Sequence, residues 1–341
     1  MKSLTDQRVP ISKLVWLSVA LIILIILPWI IESPYIMHLL IMFLILAVLG
    51  MTFSMLFNTG LITLGAAAFY GIGAYASALS ATKLGLSFWL ALPLATLITA
   101  ILALALGAII VRHAGVAFVI ITMLFAHVIV QVTGQVELFG GWGGILGIPR
   151  PGSIGPIEFA GKIPCYYLML FLSLLIALIF YALYTCRVGR VWRTIKLSPP
   201  LAETLGINLY RYRLLAFVIG SSAAGAVGSF YAHYFGVLTP GTFGGWTSIY
   251  IQLYAVLGGL EFYILGPAIG AAIMTFLPEF LRIAKEVEPI ITGALLLIII
   301  LFFPGGILGT LQTFPRLRLA SMSAQVRKIR AWLSSGDKLR R

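Results

Sequence analysis

From Leu14 to Pro304 the chain is a succession of apolar runs, most close to the ~20 residues that an α-helix needs to cross a ~30 Å hydrocarbon core. Ten spans are read: Leu14–Ile31, Ile36–Phe57, Ile62–Thr82, Leu86–Val111, Gly115–Gly134, Cys165–Cys186, Leu214–Phe235, Trp246–Leu260, Phe262–Leu281 and Pro289–Pro304. Alternating hydrophobicity of the barrel kind is absent, so helices must satisfy the backbone in lipid. With 61% hydrophobic and 10% charged residues, no large soluble domain fits between the runs. The fold class is therefore all-α, a polytopic integral membrane protein of about ten transmembrane helices. Lys2, Arg8 and Lys13 precede the first run, but Glu32-Ser33-Pro34 follows it in place of a small-residue cleavage site, so it reads as a retained anchor.

Ten spans put both ends on one side. Lys and Arg choose that side as cytoplasmic, because eighteen of 23 lie in the N-terminus, at Arg112, in the Arg187–Arg213 loop and in the tail. Only Lys83, Arg150, Lys162, Arg282 and Lys285 lie opposite. The expected organisation is a cytoplasmic N-terminus (1–13), a membrane domain (14–304) interrupted by a cytoplasmic loop (187–213), and a basic tail (305–341). The +13 charge thus reports orientation beside lipid, and nucleic acid is excluded as a partner. Cys165 and Cys186 bracket one span, ~30 Å apart at ~1.5 Å per residue, and cannot bridge. In the tail, Met322, Val326, Ile329 and Leu333 share a helical face, which suits an interfacial helix or, equally, a solvated end.

Two patterns recur in register. Gly60-Leu61-Ile62-Thr63-Leu64-Gly65 matches Gly236-Val237-Leu238-Thr239-Pro240-Gly241, and Leu92-Pro93-Leu94-Ala95 resembles Gly266-Pro267-Ala268-Ile269. Spans two to five and seven to ten then read as an inverted repeat, a recurrent device of transporters. Gly65, Gly71 and Gly73, with Ala66, Ala67, Ala74 and Ser77, provide small faces for helix packing. The alternative for the Gly60–Gly65 run is an unwound segment lining a cavity. The loop Gln135–Pro164, rich in Gly and Pro, is either a connector or a shaped surface for an external partner.

Chemistry is sparse. Asp is absent between Gln7 and Gly336, and most Glu lie in loops, which leaves little machinery for ion coupling. Metal-ligand clusters, catalytic triads and a GxxxxGK[ST] phosphate loop are missing, so no enzyme activity, metal or cofactor is expected. The candidate translocation path is Asn58, Gly60, Thr63, Gly65, Thr122, His127, Gln131, Thr239 and Gly241. The alternative for its polar members is helix–helix hydrogen bonding, His127 and Gln131 sharing one face of their span with Thr122 nearby. Uphill transport would then need an external motor. Residues Leu201–Leu205, entered by Pro199-Pro200 and stopped by Gly206, form a short surface helix suited to docking on one. Glu203 reads either as a solvated helix residue or as an ion-pair partner for a basic motor surface.

The stretches GLITLGAAAFYGIGAYASAL, GGILGIPRP, GRVWRTIKLSPPLAETLGINLYRYR, VLGGLEFYILGPAIGA and FFPGGILG resemble the permease subunits of branched-chain amino acid ATP-binding-cassette importers, in order from Ala47 to Gly309. The resemblance implies a second homologous permease subunit, two cytosolic ATP-binding subunits and an extracytoplasmic solute-binding protein in a bacterial inner membrane. It also implies alternating access to branched-chain or related amino acids. ATPase coupling would fall to Arg193, Thr194, Ile195, Leu201, Ala202, Glu203, Thr204, Leu205, Gly206, Ile207 and Asn208. Three departures stand out: Leu197-Ser198-Pro199-Pro200 where an acidic stretch is usual, Ala66 where a His is usual, and Glu261-Phe262 where Gly-Ser is usual. The alternatives are a permease for urea, amides or another small solute, or a stand-alone transporter or channel.

Overall fold

A computed structural model of the chain describes residues 22–29, 33–113, 115–153, 159, 161–281, 293, 297 and 306–309. Residues 22–29 are helical and constitute α1 as described. There follow α2 (Pro34–Phe57), α3 (Ala66–Leu84), α4 (Phe88–Ile110), α5 (Val116–Gln135), α6 (Lys162–Thr185), α7 (Arg187–Leu197), α8 (Pro199–Thr204), α9 (Leu209–Phe235), α10 (Gly245–Gly258) and α11 (Leu265–Leu281). Two short strands, β1 (Ile145–Leu146) and β2 (Val237–Leu238), pair antiparallel. By length and composition α2, α4, α5, α6 and α9 can each cross a membrane. Their ends follow local chemistry. Pro34 opens α2, where a missing N–H costs nothing, and Asn208 accepts from the Arg211 amide to cap α9.

The packing repeats itself when the halves are exchanged. Taking α2, α3 and α4 as equivalent to α9, α10 and α11, the contact of α2 with α11 matches that of α9 with α4. In the same way α3 on α9 matches α10 on α2, and α3 on α4 matches α10 on α11. Gly60 and Gly236, equivalent in the sequence repeat, are both left-handed, at φ 78° and 72°. The halves are inverted, since the end of α2 lies beside α7 while the end of α9 lies beside Ile148 and Pro149. The fifth span's counterpart, Pro289–Pro304, lies outside the described residues apart from 293 and 297, as do most of Leu14–Ile31 and the whole tail from Arg316.

At the centre α3 crosses α9. A Cβ on Gly73 would overlap the Gly225 backbone, and one on Gly228 would overlap the Tyr70 carbonyl, so glycine permits this backbone approach. The small residues read from the sequence therefore serve packing at Gly73 and at Gly71, which faces the Phe243 ring. Fully buried His233 donates from Nδ1 to the Pro149 carbonyl (2.7 Å) and accepts at Nε2 from Ser77 (2.9 Å), whose oxygen in turn accepts from Ser229 (2.7 Å). This chain of bonds supplies the partners that polar groups in an apolar core require. Outward faces of α4, α5 and α6 carry exposed Leu97, Ile101, Leu124, Val128, Phe171 and Leu178, as apolar surroundings demand.

Four element boundaries differ clearly from expectation, the first being α9, which begins at Leu209 and not at Leu214. The third span begins at Ala66, because the Gly60–Gly65 run is not helical. The short helix spans Pro199–Thr204, with Ser198 as its cap. The segment 187–197, expected only as loop, forms the amphipathic helix α7, which buries Trp192 and Ile195.

Candidate functional site

The Gly60–Gly65 break sits between α2 and α3. Helix α2 ends in a Schellman turn, with the Leu61 amide reaching the Leu56 carbonyl (3.2 Å) and the Gly60 amide that of Phe57 (3.1 Å), around left-handed Gly60. The freed backbone is then satisfied by side chains from elsewhere. The Leu64 amide donates to Thr122 Oγ1 of α5 (3.1 Å), and the Thr63 carbonyl accepts from Gln252 Nε2 of α10 (2.7 Å). The Gly65 amide donates to Thr63 Oγ1 (3.0 Å) and the Ala67 amide to Ser248 Oγ (3.1 Å). Thr63, Thr122 and Ser248 are buried. The first turns of α3 and α10 thus meet across one hydrogen bond, each entered from a Gly-rich break. Amides at such a helix start favour negatively polarised groups, the arrangement expected where an apolar bundle handles a polar solute.

Thr63, Gly65 and Thr122 are brought together at the break, with Gly60 at its start and Asn58 just before it, bonded to Leu260 and Lys196. His127 and Gln131 are not among them. They are exposed on the outer side of α5, where Gln131 accepts weakly from Gln135 (3.3 Å). Five residues turn a helix through ~500°, so Thr122 faces the core while His127 faces outward. Thr239 and Gly241 are exposed within the second break, Gly236–Gly244, where Thr239 pairs with Thr242 (2.9 Å). Gln252 and Ser248 were not singled out as site residues. A polar side chain in a short apolar span was the available signal for both.

The other candidate region is α7–α8 and the turn to α9. Trp192 is buried and donates from Nε1 to the Tyr212 carbonyl (2.9 Å), which fastens α7 to α9. Ile195 is buried, and Arg193 bonds the carbonyls of Tyr184 (3.1 Å) and Gly189 (3.3 Å), so both hold the segment in place; Thr194 bonds Arg190 (3.1 Å). Ala202 anchors α8, and a second Schellman turn around left-handed Gly206 joins Ile207 to Ala202. Leu197, Leu201 and Leu205 are 85%, 56% and 66% exposed, beside exposed Glu203, Thr204 and Asn208. Behind them a cleft of about 370 Å³ is lined by Arg112, Glu203, Ile207, Asn208 and Arg213. Apolar side chains thus stand exposed on a polar segment beyond the helix ends.

Inverted, tightly packed apolar halves with paired helix breaks define a multi-pass membrane permease. A family model described as branched-chain amino acid transport system, permease component, matches residues 35–304, and the chain belongs to this family. It is 29% identical over 293 residues to the high-affinity branched-chain amino acid transport system permease protein LivM of Salmonella typhimurium, covering 78% of this chain and 68% of that one. It is 28% identical over the same shares to LivM of Escherichia coli. The permease protein LivH of Escherichia coli is 32% identical over 145 residues, 42% of this chain and 46% of that one. No solved structure matches the chain.

Proposed function

We propose that the chain is one permease subunit of an ATP-binding-cassette importer for branched-chain or related amino acids in a bacterial inner membrane. The exposed leucines of the α7–α8 segment carry this reading. Segment 187–213 lies in the cytoplasm together with both termini, and Leu201–Asn208 receive the motion of a cytosolic ATPase. Two such ATPases serve the complex, one for each permease. The opposite face, with β1, β2 and the Gly-rich loop, receives a solute-binding protein. A second homologous permease covers α5, because the polar groups of His127 and Gln131 cannot face hydrocarbon without cost. The solute then passes between the helix starts of α3 and α10 as the halves rock. The chain itself is no enzyme and holds no cofactor.

The solute class has a second candidate. Ala66 stands at the start of α3, beside the Ser248 and Thr122 contacts, where related permeases carry a His. A smaller, less polar wall there suits urea or an amide as well as an amino acid.

ATP-loaded vesicles holding the full complex should accumulate leucine, isoleucine or valine, and a panel including urea and acetamide separates the two classes. Leu205→Asp and Gly206→Pro should abolish uptake with insertion intact, since proline cannot adopt φ 75°. Normal uptake and normal ATPase association in both variants would refute the coupling role.

A further inference from the structure

The end of α2 is a junction of four elements. Asn58, 3% exposed, donates from Nδ2 to the Ser54 carbonyl of its own helix (2.8 Å) and to the Leu260 carbonyl beyond α10 (3.2 Å). Its Oδ1 accepts from Lys196 Nζ of α7 (2.9 Å). The next residue, Thr59, gives its carbonyl to buried Arg213 of α9 (3.4 Å). Left-handed Gly60 and the break follow at once.

Asn58 has no slack. Both donor directions are used, one in each inverted half, and its acceptor holds the lysine. A displacement of Lys196 cannot be absorbed by turning the amide without taking an Nδ2–H off the Ser54 or Leu260 carbonyl, and an unsatisfied buried donor costs ~1–3 kcal/mol. The displacement therefore passes to the backbone at the head of the break.

Lys196 is held as firmly. Its ammonium lies 4.3 Å from the centre of the Phe57 ring, a cation–π contact. Burial lowers its pKa from the usual lysine value, and the charge of Glu261 acts in the opposite direction. Through Asn58 the ammonium is tied to the Ser54 carbonyl of the first half and to the Leu260 carbonyl of the second.

We infer that Lys196 is a positioning residue that transmits movement of the α7–α8 segment through Asn58 to the Gly60–Gly65 break, with the Phe57 ring holding its ammonium in place. The inference rests on the motor-driven reading above. Arg193 and Trp192 fasten α7 to α6 and α9; among the described residues of α7, only Lys196 bonds a side chain at the break.

The test is the solute moved per ATP hydrolysed by the reconstituted complex carrying Lys196→Met, Lys196→Arg or Phe57→Leu. Lys196→Met should assemble and hydrolyse ATP, with solute per ATP reduced about tenfold, a typical coupling loss. Lys196→Arg should recover most of it, and Phe57→Leu, which removes the ring beside the ammonium, should fall between them. Wild-type stoichiometry in Lys196→Met overturns the inference. Should that variant fail to assemble, unchanged stoichiometry in Phe57→Leu overturns it instead. ATP-independent behaviour of the unmodified complex would sink the importer reading, a separate outcome.

Discussion

The two helix breaks start from one sequence pattern and one backbone conformation, yet they are stabilised in different ways. The first, Gly60–Gly65, is enclosed around buried Leu61, Thr63 and Gly65, although Gly60 and Ile62 are exposed, and its amides and carbonyl find side chains of Thr122, Gln252 and Ser248. The second, Gly236–Gly244, opens on the opposite face. Its backbone is braced by another backbone, through β1–β2 and the Ile148 amide on the Gly236 carbonyl (3.1 Å), while its threonines bond each other. A repeat preserves the path of the chain, and each copy is then finished by whatever solvent surrounds it.

Three substitutions can break that contrast. The largest effect belongs to Gly144→Ala. Gly144 is left-handed at φ 75° and its missing Cβ would overlap the Leu238 carbonyl, so an alanine both strains the backbone, at ~1–3 kcal/mol, and pushes β1 off β2. Hydrogen exchange should rise across 237–244 and stay unchanged across 60–65; a rise in both would mean the breaks are not independently supported. Next comes Thr122→Val, which keeps shape but leaves the Leu64 amide without its acceptor, at ~1–3 kcal/mol. Thermal unfolding in detergent should fall and exchange at Leu64 should rise, with 237–244 undisturbed. The smallest effect belongs to Thr239→Val, where water replaces the lost partner and the change should stay within ~0.5 kcal/mol. Equal losses for the two threonine variants would remove the distinction between enclosed and open breaks.

Much of the membrane architecture was legible in the residues. The hydrocarbon thickness sets helix length, so α2, α4, α5 and α6 begin and end within a few residues of the apolar runs. The glycine repeat was legible too, because left-handed backbone at Gly60 and Gly236 restricts residue choice sharply. Helix α7 was missed although Val188, Trp192 and Ile195 mark one face, because four basic residues in eleven hide that stripe from any reading based on mean hydropathy. Strands β1 and β2 are two residues each, too short to carry a period. The grouping of Thr122 with His127 went wrong for a rotational reason, and which wall Gln252 would reach depended on how α10 packs. Neighbours distant in sequence are fixed by tertiary contact, and no local pattern announces them.

The outward strip on α5 has a consequence for the life of the protein in the cell. An imidazole and two amides, at His127, Gln131 and Gln135, interrupt a surface otherwise made of Leu124, Val128 and Val132. On the proposed assembly with a second permease, a newly inserted copy that has met no companion carries this wet seam into oil, a blemish that membrane quality control can detect. Supply of the companion chain should then set how many copies survive, and orphans should be degraded first.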